Sequence, residues 1–354
     1  MRSFFKFIGR FVKKISSYSR TCKGLSGFFT GMLAVSLFLS LSVDYLHREF
    51  HAPGLSSEPV MVLINKNSAL DEVGTTLVEK GVIQDRGFIL WKVFSAGKAL
   101  FARSSVIKAG EWNFEPNVSM AEAVEHMSSG TPVIHRITFP EGWTIEQIGA
   151  RLNDDERLSG PFVLPSEEGM LMPDTYFFVR GQTREGLIRE MTAAMERALE
   201  DSWDGRAENL PLSSLHDLLV LASIVEKETS KLKEKPHVAA VFLNRIKRGM
   251  RLEADPTVLY GIYGGSSWRE KRRLTKAELA SPTPYNTYRS VGLPPGPICN
   301  PGRASIKAVA RPMKTNDLFF VADGSGGHTF SKTFSEHLRH VAKLRAIEAA
   351  RAKK

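Results

Sequence analysis

From residue 215 to residue 232 the chain reads LHDLLVLASIVEKETSKL, with Leu215, Leu219, Ala222 and Glu226 at spacings of four, three and four. Those steps fall on one face of an α-helix, and Ser213 or Ser214 supplies the cap that starts it. Ahead of this helix, short β-branched runs, turn residues and amphipathic stretches alternate. They predict three strand-turn-helix units. The first has a strand at 60–64, a turn at 65–67, and a helix over 68–79 with Leu70, Val73 and Leu77 inward and Gly81 as its stop. The second has a strand at 110–114 and a helix over 120–127. The third has a strand at 136–139, a turn at 140–142, and a helix opened by Thr144 and Gln147 at capping-box spacing. Residues 183–210 read as a helix and a polar connection. After residue 226, Pro236 opens a helix with Val238, Val241 and Phe242 inside and Gly249 as its stop. The stretches 252–260, 281–288 and 292–298 are dense in turn residues. A hairpin joins 318–322 to 328–331, and Thr333 and Glu336 cap a terminal helix.

One segment obeys neither period. Residues 24–43 hold no charge over twenty positions, the length that crosses a hydrocarbon core of roughly 30 Å. Seven Lys or Arg and no acid precede it, which keeps the N-terminus cytoplasmic and exports everything after Asp44. No small-residue cleavage site is evident before Asp44 and Tyr45, so an uncleaved inner-membrane anchor is preferred to a signal peptide. The basic tail accounts for much of the net charge of +10. Residues 339–354 add six Lys or Arg against Glu348, and residues 24–338 sum to −2. A nearly neutral body excludes nucleic acid as the partner. Cys22 and Cys299 then lie on opposite sides of the membrane, and Cys299 is expected to be a buried small hydrophobe. The resulting plan is a cytoplasmic basic tail (1–23), a membrane helix (24–43), a breaker-rich periplasmic linker (44–58), a small module (59–134), a larger domain (135–338) and a basic C-terminal helix (339–354). The fold class is α+β.

The chemistry is narrowed by what is missing. The sequence has no Gly-x-Ser-x-Gly elbow and no phosphate-binding glycine loop, and the two histidines of 336–340 fit neither zinc order. No cofactor or metal is expected. The acid at the end of the 215–226 stripe is the chemical candidate. A carboxyl held against hydrophobic surface is raised in pKa and becomes a proton donor near neutral pH. Glu228 sits about 200° further round the axis and cannot share the work at close range. The plain alternative is that Glu226 is the first polar residue where a core helix surfaces.

The strand-turn-helix modules resemble LysM-type domains, which bind N-acetylhexosamine glycans, although such units also serve as plain structure. Trp112 and Trp143 suit sugar stacking or a core equally. A wider resemblance spans roughly residues 60–338. It is carried by EG at 168–169 with PDTY at 173–176, ASIVEKET at 222–229, VFLNR at 241–245, DPTV at 255–258, PYNTY at 284–288, GLPPGPI at 292–298 with NPG at 300–302, and FVA at 320–322 with GGHTF at 326–330. Together these resemble the YceG-like endolytic murein transglycosylases. Met172 stands where an aromatic is expected, and the first module matches only by pattern. The resemblance implies cleavage of the β-1,4 bond between N-acetylmuramic acid and N-acetylglucosamine inside peptidoglycan strands, leaving 1,6-anhydro ends. It implies one acid, Glu226, as proton donor and then acceptor. It places Glu228, Asn244, Asp255, Tyr285, Asn286, His328 and Glu168 at the substrate or around the acid. It also implies glycan polymerases, the penicillin-binding proteins, as neighbours. Two rival classes stay open. One is a muramidase-type hydrolase with Glu168, Asp174 or Asp255 activating water; the other is a membrane-tethered wall-binding protein without catalysis.

Overall fold

The structure, a computed structural model, describes residues 25–84, 91, 107–265 and 274–352. The basic segment 1–23, with Cys22, and the first residue of the expected span lie outside the described residues. The chain divides into two compact units that part between Ile134 and His135.

In the first unit the apolar run forms α1 (Leu25–Phe50). Among the described residues it is the one helix long and apolar enough to cross a membrane, and Phe29, Leu33, Leu37 and Leu41 stand exposed along it. Exposed apolar side chains along one long helix fit a single-pass membrane anchor. The helix does not stop where the linker was expected, at residue 44. Nothing from Asp44 to Phe50 breaks a helix, Asp44 and Arg48 pair one turn apart at 3.0 Å, and breakers arrive only with Pro53 and Gly54.

The first two strand-turn-helix units share one sheet. β1 (Val60–Ile64) pairs antiparallel with β2 (Gly110–Phe114), Val62 opposite Trp112. α2 (Leu70–Glu79) and α3 (Met120–Ser129) close over it, the latter opened by a Ser119–Glu122 capping box. Val62, Val73, Leu77, Trp112, Phe114 and Met127 form the core of this module. Trp112 is fully buried, and its indole N–H donates to the Lys108 carbonyl at 3.1 Å, so it is a core residue and not a sugar platform. A groove of about 980 Å³ on the module is lined by Asn113, Glu115, Asn117, Glu125 and His126 among others.

The third unit begins the second body. β3 (Ile134–Thr138) pairs with β4 (Thr175–Val179), and α4 (Ile145–Asn153) starts at the expected capping box of Thr144 and Gln147. With α5 (Arg184–Asp204) they enclose Ile137, Phe139, Ile148, Leu152, Tyr176 and Phe178. Next come α6 (Leu215–Glu228), α7 (Lys235–Lys247), α8 (Asp255–Tyr263), α9 (Lys276–Leu279) and α10 (Arg303–Ala310). Last are the antiparallel hairpin β5 (Phe319–Ala322) and β6 (His328–Ser331), and α11 (Phe334–Ala352). α6 is the pivot, packed against α5, α7, α8 and α10. Ser214 caps it by accepting from the Asp217 N–H, and the eight residues from Leu218 to Val225 are all buried. A helix surrounded in this way has no solvent face.

One element replaces an expected turn-rich stretch, and two more form where no element was expected. Residues 255–263 form α8 because Asp255 and Pro256 occupy its first turn, where proline's missing N–H costs nothing. Residues 175–179 form β4, with Tyr176 and Phe178 inward and Phe177 exposed, a period of two hidden by the turn-rich stretch before it. α10 follows Pro301 and Gly302 and packs on α6, α7 and α5. Cys299, just ahead of it, is buried as expected; its thiol donates to the Ser223 carbonyl at 3.4 Å, and burial pushes its pKa well up.

Candidate active site

All of the site lies in the second unit, around the last turn of α6. Glu226 does not end an apolar stripe there. Its carboxylate, 6% exposed, meets the Lys235 ammonium, 1% exposed, with both oxygens 2.9 Å from Nζ. Oε2 also accepts the Gly302 N–H at 3.0 Å and the Ser305 hydroxyl at 2.7 Å, the first groups of α10. A helix N-terminus favours an anion, and the ion pair favours the same form. Glu141, 45% exposed, approaches Lys235 from outside at 3.4 Å. Among the described residues every partner of Glu226 is therefore a donor.

Glu228 faces the other way. It is partly buried, and among the described residues no donor reaches its carboxyl. Burial pushes its pKa up to about 8, the charge of Asp255 adds to the rise, and Arg245 opposes it. Asp255 heads α8 and accepts a 2.6 Å hydrogen bond from the Tyr288 hydroxyl, whose own pKa burial raises. Arg245 is pinned by backbone, donating from Nε to the Leu318 carbonyl at 2.7 Å and from Nη1 to the Leu252 carbonyl at 2.8 Å. Glu253 accepts from the same guanidinium at 3.3 Å and holds a left-handed φ of 53°. The loop carrying Tyr288 is laid on α8. Thr287 Oγ1 accepts the Ala254 N–H at 3.0 Å, and Tyr285 meets Tyr260 edge-on at 5.0 Å.

The other expected residues separate by duty. Asn286 is fully buried, donating to the Leu279 and Ser281 carbonyls and accepting the Tyr288 N–H, so it shapes the loop. Asn244 donates to the Thr315 and Asp317 carbonyls and fastens α7 to the approach of β5. Glu168 Oε1 accepts from the Ile145 N–H at 2.9 Å, the Gly169 N–H at 3.1 Å and Asn300 Nδ2 at 3.0 Å. Burial outweighs these donors and lifts Glu168 to about 7; burial first, and the Glu168 charge second, raise the Tyr260 and Tyr285 hydroxyls. His328 Nδ1 lies 2.8 Å from Glu234, whose other oxygen accepts the His328 N–H at 3.3 Å. Glu234 reaches back to Thr229, next to Glu228, whose hydroxyl donates to it at 3.3 Å. Asp255 thus stands with Glu228, whereas Asn244, Asn286 and Glu168 act as braces.

Sequence reasoning gave no role to Lys235 or Ser305, and named Asn300 and Tyr288 only within the motifs at 300–302 and 284–288. Lys235 had a signal of its own: a cation at a helix start opposes the macrodipole and calls for a nearby carboxylate. Asn300 is buried, its amide donating to the Trp143 carbonyl and its oxygen accepting the Leu171 N–H, and nothing local in the sequence distinguishes it from a loop asparagine. Among the described residues no cluster of His, Cys, Asp and Glu could hold a metal ion.

Comparison with known proteins adds four findings. Residues 62–343 match the model of the YceG-like family. The chain is 29% identical over 333 residues to the endolytic murein transglycosylase of Streptococcus pneumoniae serotype 2, covering 81% of this chain and 58% of that protein. It is 29% identical over 314 residues to the endolytic murein transglycosylase of Bacillus subtilis, covering 80% and 84%. The chain therefore spans less than two thirds of the streptococcal relative. A yceG-like protein of Listeria monocytogenes, solved by crystallography, is 30% identical, with 80% of this chain and 99% of that one covered and a TM-score of 0.49.

Proposed function

The chain belongs to the YceG-like family, and from that premise we propose that it is a peptidoglycan lytic transglycosylase in which Glu228, not Glu226, is the acid. The observation that carries this is a carboxyl on the central helix with no donor on it among the described residues and a pKa raised to about 8, first by burial. Such a group holds its proton at neutral pH and is poised to give it up. Relatives named endolytic murein transglycosylases support the substrate, the glycan strand of the cell wall.

The reaction needs one acid. Glu228 donates its proton to the glycosidic oxygen as the bond from that oxygen to C1 of the N-acetylmuramic acid breaks. The C6 hydroxyl of the same sugar attacks C1, and its proton passes to the Glu228 carboxylate. The acid is restored, the 1,6-anhydro ring is closed and no water is consumed. Burial first, and the charge of Asp255 held by Tyr288 second, keep the pKa of Glu228 high. In this reading α1 is a single-pass anchor, the basic segment ahead of it keeps the N-terminus in the cytoplasm, the body lies outside the inner membrane beside glycan polymerases, and the groove of the first module gives the strand a second contact.

Full-length protein in lipid nanodiscs, incubated with peptidoglycan strands and followed by mass spectrometry, tests the reading. Anhydro ends that fall at least about 100-fold in Glu228→Gln are expected, the scale of a lost proton transfer. Reducing ends would instead make water the acceptor and Asp255 its activating base, a muramidase. Absence of any cleavage would leave a wall-binding role.

A further inference from the structure

Glu228 is the last residue of α6, and Thr229 beyond it is already extended. Helix ends fray, and a carboxyl carried there gains no fixed position from the helix itself. Two positions earlier, three helices converge on the Glu226 carboxylate: its own α6, α7 through Lys235, and α10 through Gly302 and Ser305. The close approach is built in. A Cβ on Gly302 would lie 1.8 Å from Glu141 Oε1, so that residue is a glycine where Glu141 covers the ion pair. Gly142, at φ 78°, accepts from Lys227 at 3.2 Å and ties the same turn to the 140–142 loop.

We propose that the Glu226–Lys235 ion pair, seated on the N-terminus of α10, is a positioning lock that holds Glu228 in register with the scissile bond. The proposal rests on Glu228 being the proton donor. A charged pair in a dry interior is a poor source of stability compared with apolar packing of the same volume, so its value here lies in fixing one geometry. Both partners are nearly inaccessible and their charges cancel, so neither is available to the strand. The charged groups facing the lock are Glu141 and Lys227; those facing Glu228 are Asp255, Arg245 and, through their contacts, Tyr288 and Glu253. Loosening the lock admits water to Glu228 without changing that second set.

The test compares Glu226→Gln, Ser305→Ala and Glu228→Gln in the full-length protein, recording kcat, KM and the pH profile of kcat/KM on peptidoglycan strands. Glu226→Gln is expected to lower kcat about 10- to 100-fold, the scale of a misplaced catalytic group, with KM within about twofold. Its alkaline limb should move to lower pH as Glu228 becomes wetter, a shift that a purely structural role would not produce. Replacing Glu226 and Lys235 together by Met should recover part of the kcat lost in Glu226→Gln, because no buried charge is then left unpaired. If Glu226→Gln does not fold, Ser305→Ala, which removes one hydroxyl, should show a smaller fall and the same limb shift. Wild-type kcat and an unmoved limb in the folded variant would overturn the lock. Loss of all turnover in Glu226→Gln with activity retained in Glu228→Gln would overturn the reading beneath it instead.

Discussion

A carboxyl that titrates at about 8 when folded and near 4.5 otherwise ties both activity and stability to pH. The folded protein holds the Glu228 proton more tightly than the unfolded chain. The associated stability is complete below about pH 4.5, declines above it, and is gone once the pH passes about 8. Glu228→Gln cannot lose a proton, so its melting temperature should exceed that of the native protein at about pH 9 and not at about pH 5, in thermal melts by circular dichroism. Asp255→Asn removes a charge that raises Glu228. The alkaline limb of kcat/KM, which reports the free enzyme, should therefore shift below about pH 8 in that variant. The sequence located the turn that carries both glutamates but not the different surroundings of the two. Spacing along a stripe chooses a face only when the helix has a wet side, and α6 has none from Leu218 to Val225. Charge placement would have served better, since Lys235 at the head of α7 predicts a buried anion nearby and so sets Glu226 apart.

At the scale of elements, the site depends on one loop lying flat on α8. Gly261 makes that possible: a Cβ there would stand 2.4 Å from Thr283 Oγ1 and 2.9 Å from Tyr285 Cβ. Gly261→Ala should therefore lift the loop and Tyr288 with it. A cost of about 1–3 kcal/mol is expected from overpacking, measured by urea unfolding, together with a lower kcat/KM. Helices with strong caps were legible, as Thr144 with Gln147 and Ser214 show. α8 and α10 were not. Both are short, α8 carries a proline in its first turn and α10 follows proline-rich text, and neighbours already in place hold them, a form of support that propensity along the chain does not record.

At the scale of the molecule, separate cores imply separate melting. Trp112 sits in the core of the first unit, whereas α6 lies in that of the second. Trp112→Ala should cost about 3–5 kcal/mol in calorimetry and lower one transition while the other keeps its place. The long apolar helix was readable from its uncharged run and the strand-turn-helix units from their periodicity, because both are local properties. The convergence of residues 141, 226, 235, 302 and 305 was not, being a matter of which distant segments meet. Cys299 offers a view of that meeting. Its thiol rests on the Ser223 carbonyl in the middle of α6. In a Cys22→Ser background its rate of alkylation becomes a clock for how often α6 parts from its surroundings. A glycan strand held at the proposed site should slow that clock, reporting binding without a single bond being cut.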